Sequence, residues 1–169
     1  MCSSDLRHPL QQSPGMAPYQ PTPVRHILQL IAASAFSQDD VFVDLGSGLG
    51  HVPLLVSMLT GVRSLGIEVQ PAYVLSAQQC AQSLRLGCVQ FVPEDVRAAD
   101  LSSGNVFYLY SPFTGSILTS VLKSLRTEST RRTIKVCSLG PCTRTVAEQA
   151  WLRPRAVPDL GQVAVFESR

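Results

Sequence analysis

Apolar positions recur at helical spacing from Val24 to Phe36, where Ile27, Leu28, Leu30, Ile31 and Ala35 mark one face. Thr22 is placed to cap this helix, and Pro23 suits its first turn. Downstream, short runs of Val, Ile, Phe and Tyr alternate with helical patterns. The order is strand Val41–Leu45, helix Val52–Leu59, strand Ser64–Glu68, helix Ala72–Leu86, strand Val89–Val92, strand Val106–Tyr110, helix Ser116–Leu125 and strand Thr133–Ser138. Strands that read as continuous apolar runs between helices belong to a parallel sheet covered on both faces. The tail adds a short helix, Thr145–Ala150, and two strands, Leu152–Val157 and Gln162–Glu167, around Pro158-Asp159-Leu160-Gly161. That turn-bearing gap suits a closing antiparallel hairpin. The pattern predicts an α/β fold, a doubly wound, mostly parallel sheet with a C-terminal antiparallel hairpin.

Residues 1–23 stand apart. Pro9, Pro14, Pro18, Pro21 and Pro23 each fix their own backbone and disfavour helix in the residue before. This reads as a Pro-rich arm leading into one domain over 24–169, and a chain of 169 residues buries enough surface to fold as a single core. Charged residues make up only 15% of the chain, below the roughly 25% usual for globular domains. That shortfall leaves room for an apolar shared surface, with a second copy or a partner. No apolar run is long enough to span a bilayer, and residues 1–10 lack the apolar stretch of a signal peptide, so a cytoplasmic protein without a membrane partner is expected.

The five cysteines, Cys2, Cys80, Cys88, Cys137 and Cys142, show no paired C-x-x-C spacing, so no metal site is expected. Cys137 and Cys142 are near enough in sequence to raise a disulfide, which a reducing compartment opposes. Residues 1–96 hold 4 basic and 7 acidic side chains and residues 97–169 hold 10 and 5, so the halves carry opposite charge. Arg126, Arg131, Arg132 and Lys135 are scattered without interleaved aromatics, the pattern of a solvated face more than of a nucleic-acid site.

The chemistry concentrates in Asp44-Leu45-Gly46-Ser47-Gly48-Leu49-Gly50, which follows a predicted strand and opens a predicted helix. This is where open α/β sheets bind ligands. The spacing is G-x-G-x-G; the dinucleotide pattern G-x-G-x-x-G fails because position 51 is His51, and no G-K-[ST] follows to hold a nucleoside triphosphate. Asp44, just ahead of the glycines, would repel a pyrophosphate and attract an ammonium group. Glu68 ends the next strand, 24 positions on, where a carboxylate accepts hydrogen bonds from ribose hydroxyls. After the third strand, Asp95 is placed to accept from an adenine amino group and Val96 to cover the ring. Taken singly, each has a bland account, a tight turn for the glycines or a helix-flanking acid for Glu68. In this order on alternating strands they describe adenosine with a cationic amino-acid end.

At these residues the chain resembles the class I S-adenosylmethionine-dependent methyltransferases, with Asp44 to Gly50 as their first motif and Glu68 and Asp95 as the next two acids. The resemblance implies a Rossmann-like seven-stranded sheet, S-adenosyl-L-methionine as cofactor, and binding by Asp44, Gly46, Ser47, Gly48, Gly50, Glu68, Asp95 and Val96. Within that class the chain is most similar to the histone-lysine methyltransferases that lack a SET domain. It shares their Tyr-x-x-Thr element, here Tyr19-Gln20-Pro21-Thr22, and the run from Asp39 to Gly50. By that resemblance Tyr19 and Thr22 close over the methionine end of the cofactor.

The pattern departs after strand four. The histone family carries Asn-Asn-Phe and planar-nitrogen methyltransferases carry Asn-Pro-Pro-Tyr, whereas this chain reads Tyr110-Ser111-Pro112-Phe113. Phe113 keeps the aromatic wall, and Ser111 replaces the amide that would orient an amine. A sulfonium methyl is already activated, so the enzyme mainly holds a nucleophile in line with it in a dry pocket. Ser111 is the candidate to orient the acceptor, with Tyr110 and Phe113 shaping its channel. The reading is methyl transfer to a protein, with lysine as one acceptor, or to a small molecule. Its rivals are a non-catalytic cofactor-binding partner subunit and, disfavoured by the glycine spacing, a nicotinamide-dependent oxidoreductase.

Overall fold

The computed structural model describes residues 20–110 and 114–169. Twelve elements follow in the order α1 (Val24–Ser34), β1 (Val41–Leu45), α2 (His51–Thr60), β2 (Arg63–Glu68), α3 (Pro71–Ser83), β3 (Val89–Pro93), β4 (Val106–Tyr110), α4 (Gly115–Ser129), β5 (Lys135–Leu139), α5 (Cys142–Ala147), β6 (Leu152–Pro154) and β7 (Ala164–Ser168). The seven strands form one sheet in the order β3-β2-β1-β4-β5-β7-β6. The first five are parallel; β7 runs antiparallel to both β5 and β6. The order reverses between β1 and β4, and ligands of open α/β sheets sit at the carboxyl ends of such strands.

Both faces of the sheet are covered, which explains the continuous apolar strands. Ile27 and Leu30 of α1 and Val52 and Val56 of α2 pack with Phe42, Tyr108 and Cys137 on one face. Leu118, Val121, Leu122 and Leu125 of α4 and Val146 of α5 pack with Val43, Leu45, Phe107 and Leu109 on the other. Cys137 and Cys142 belong to these two separate clusters, and no disulfide joins them. The central β4 buries Val106, Phe107, Tyr108 and Leu109 almost completely, each large side chain contributing about 1.5–3 kcal/mol.

Element boundaries differ from the sequence pattern for local reasons. Thr22 does not cap α1: Pro23 holds the cap position and no side chain bonds the helix start, because the Thr22 hydroxyl is turned into the sheet. Helix α3 stops at Ser83, short of Leu86, where Arg85 takes a left-handed φ of 56° and Leu86 N–H bonds back to Ala81. Helix α4 runs on to Ser129, held by Glu128 pairing with Arg131 and Arg132. Helix α5 starts at Cys142 and not at Thr145, because Gly140 turns the chain at φ 83° and Pro141 presets the first turn. Strand β6 ends at Pro154, which has no N–H for the ladder.

Candidate active site

The glycine turn is built by three left-handed residues in alternation: Gly46 at φ 86°, Gly48 at 53° and Gly50 at 79°. Side-chain-bearing residues adopt this region at a cost, which is why glycine recurs every second position. Gly50 has a second reason: a Cβ there would lie 2.6 Å from the Phe91 ring and 2.8 Å from Ala77. The turn is fastened to the neighbouring strand, with Gly46 and Ser47 N–H groups both donating to the Ile67 carbonyl at 2.9 and 3.0 Å. Gly66 permits that approach, since a Cβ on it would meet Ser47 Oγ at 2.6 Å.

Glu68, at the end of β2, is buried and fixed from two sides. Gly48 N–H donates to its Oε2 and Gln70 N–H to its Oε1, both at 2.9 Å. Each oxygen keeps lone pairs free for further donors. Asp44, at the end of β1, is only 4% exposed. Burial, and then the Glu68 charge, push its pKa up to about 8, and among the described residues no hydrogen bond offsets that cost. Ser47 Oγ, though buried, likewise has no partner among the described residues. Among the described residues the turn therefore gathers an uncompensated carboxyl, an unpaired hydroxyl and a fixed second carboxylate, a composition that suits a cationic, hydroxyl-bearing ligand.

Asp95 lies past β3, half-exposed, and its carboxylate is engaged by Arg97, with Nε at 3.0 and 3.1 Å and Nη2 at 2.5 Å. That guanidinium holds the Asp95 carboxyl below its usual range. Val96 is buried against the α4 side of the core. Thr22 reaches β4, where its Oγ1 lies 3.3 Å from the Tyr108 hydroxyl. Tyr110 ends β4 half-buried. Tyr19, Ser111 and Phe113 lie outside the described residues.

One candidate site residue escaped the sequence pattern. Tyr108 reads as a core position in an apolar strand, yet it stands directly beside Asp44 in the parallel register of β1 and β4. The available signal was its type, since a buried tyrosine needs a partner for its hydroxyl and phenylalanine does not. Of the scattered basic residues, Arg131 and Arg132 pair with Glu128, Arg132 also bonds the Leu101 and Gly104 carbonyls, and Lys135 bonds the Ser34 carbonyl.

Solved structures share this architecture. An RNA methyltransferase from Salinibacter ruber, in complex with S-adenosyl-L-homocysteine, is 24% identical with a TM-score of 0.65, over 88% of this chain and 92% of that one. An rRNA methylase from Streptococcus thermophilus is 11% identical with a TM-score of 0.57, over 89% and 99%. Magnesium protoporphyrin IX methyltransferase (ChlM) from Synechocystis PCC 6803, with bound SAM, is 12% identical with a TM-score of 0.64, over 86% and 76%. A comparison with curated proteins finds no match. The fold is that of the class I methyltransferases. Residues 13–104, more than half of the chain, match the family described as Histone methylation protein DOT1, and the chain belongs to that family. Family membership speaks for an enzyme, and nothing supports the rival reading as a non-catalytic binding subunit. The matched stretch ends before β4, so Tyr110-Ser111-Pro112-Phe113 lies beyond it. Among the described residues no helix is long and apolar enough to cross a membrane.

Proposed function

We propose that the chain transfers a methyl group from S-adenosyl-L-methionine to a protein side-chain amine, with lysine as the acceptor. The observation that carries the cofactor is the buried pair at the glycine turn. Asp44 is a buried carboxyl whose charge, once ionised, has no balancing hydrogen bond or cation among the described residues, and Glu68 presents oxygens fixed by backbone N–H groups. The amino group of the cofactor's methionine end fits the first and its ribose hydroxyls the second. Asp95 and Val96 complete the adenine end, Asp95 using lone pairs that Arg97 leaves free. The resemblance of Tyr19-Gln20-Pro21-Thr22 to the family's Tyr-x-x-Thr element assigns Tyr19 and Thr22 to the methionine end. When bound, the cofactor supplies an electrophilic methyl on a sulfonium, so the protein need only orient the acceptor and exclude water. Ser111 orients the amine, and Tyr110 and Phe113 wall its path.

A protein acceptor is favoured by the family to which the chain belongs. A nucleic-acid acceptor is less favoured because half of the ten basic residues of the second half are engaged internally: Arg97 with Asp95, Arg131 and Arg132 with Glu128, Lys135 with Asp40, and Arg155 with Glu167. The test is transfer of a radiolabelled methyl group to core histones, to a lysine-methylated histone mixture, and to total RNA. Label in unmodified protein that falls on premethylated substrate supports the reading. Label in RNA alone overturns the acceptor, and label in none of the three with intact cofactor binding redirects the search to small molecules.

A further inference from the structure

Tyr108 is almost fully buried, and its ring packs beside Phe42 at a centroid distance of 6.4 Å. Filling space does not require its hydroxyl, since Phe107 fills the opposite face of the same strand without one. Burying a hydroxyl costs free energy that a single 3.3 Å hydrogen bond to Thr22 only partly returns. That oxygen is nevertheless held in one place. It belongs to the strand residue registered beside Asp44, and its partner Thr22 is the residue from which the chain turns through Pro23 into α1.

The geometry points to Tyr108 as a positioning residue for the cofactor. Its hydroxyl fastens Thr22, and with it the segment entering α1, beside the Asp44 carboxylate, so that the amino-acid end of the cofactor meets a preformed pocket wall. This rests on the S-adenosyl-L-methionine reading and deepens it, because it names what holds the threonine in place. Pre-organisation of this kind contributes to affinity by removing the ordering cost at the moment of binding. Its signature is selectivity: a ligand with the methionine end benefits, and a ligand without it does not.

The experiment compares S-adenosyl-L-homocysteine with 5′-methylthioadenosine, which lacks the amino-acid end. Both are titrated calorimetrically into the unsubstituted protein, Tyr108→Phe, Thr22→Val, Thr22→Ser and the Tyr108→Phe, Thr22→Val double variant. Tyr108→Phe and Thr22→Val are each expected to weaken S-adenosyl-L-homocysteine about tenfold, near the 1.4 kcal/mol scale of one hydrogen bond. The double variant is expected to lose no more than either single one, Thr22→Ser to stay within about twofold, and 5′-methylthioadenosine to change by less than about twofold throughout. Thermal melting of each variant monitors folding, and if Tyr108→Phe does not fold, the contrast between Thr22→Val and Thr22→Ser carries the test. Equal losses for both ligands, additive losses, or no loss would overturn the role of Tyr108 while leaving the cofactor assignment intact. Failure of the unsubstituted protein to bind S-adenosyl-L-homocysteine would overturn both.

Discussion

Two aspartates four positions apart flank one strand and have opposite fates. Asp40, just before β1, is buried, and burial alone would raise its pKa. Hydrogen bonds from Ser37 N–H at 2.9 Å and the Asn105 amide at 2.8 Å, with the Lys135 charge 3.6 Å away, outweigh that and hold the carboxyl below its usual range. Asp44, at the other end of the same strand, is as deeply buried and receives no such support, so its pKa rises to about 8. Asp40 is satisfied by the fold itself. Asp44 is a cost left unbalanced among the described residues, and perturbed carboxyls of this kind concentrate at functional sites.

The largest expected effect separates the two. Asp44→Asn should weaken S-adenosyl-L-homocysteine by roughly a hundredfold or more, since losing one member of a desolvated charge pair costs about 2–5 kcal/mol. The same substitution should raise the melting temperature of the free protein at pH 8, because an uncompensated buried charge disappears. Asp40→Ala should do the reverse, lowering stability by about 2–4 kcal/mol in denaturant titration while leaving cofactor affinity within about twofold. If both substitutions destabilise, or both abolish binding, the contrast fails.

The pH dependence sharpens it. The folded state binds the Asp44 proton more tightly than the unfolded state, whose carboxyl titrates near the ordinary 3.8. Folded molecules therefore carry more protons between about pH 4 and pH 8, and stability falls as pH rises through that window, by at most about 1.4 kcal/mol per unit. Asp40 has the opposite sign: its contribution is present above the ordinary carboxyl value and lost on acidification through its lower folded value. Melting curves should show the difference between the unsubstituted protein and Asp44→Asn growing from pH 5 to pH 8 and then levelling. The corresponding difference for Asp40→Ala should be constant above about pH 4 and shrink below it, as the unsubstituted protein loses the contribution of the ionised carboxylate.

The smallest effect lies far from the turn. Arg85 ends α3 in a left-handed conformation where glycine carries no strain, so Arg85→Gly should stabilise the protein by about 0.5–1 kcal/mol without altering binding.

The sequence pattern was most informative where one physical cause dominates. The strand Val41–Leu45 and the strand Val106–Tyr110 have their expected limits because a doubly covered parallel sheet demands unbroken apolar runs. The glycines at 46, 48 and 50 were legible because alternate left-handed residues leave few other choices. Asp44 and Glu68 were legible as strand-end acids, and the structure brings both to the turn. Threonine caps well, so the local pattern places Thr22 at the helix start; only the long-range contact with Tyr108 shows where its hydroxyl goes. Tyr108 itself was invisible, since its meaning comes from strand register and not from any local pattern. The early start of α5 comes from the turn at Gly140 and Pro141, which helical periodicity does not show.

The most direct test of the account is calorimetric titration of S-adenosyl-L-homocysteine into the unsubstituted protein at pH 6, 7 and 8, with Asp44→Asn alongside. The account predicts micromolar binding that tightens with pH, by up to about tenfold per unit, as the Asp44 proton is released to meet the ligand's ammonium group, and a loss of binding in Asp44→Asn. No binding at any pH, or binding indifferent to both pH and Asp44, would contradict it.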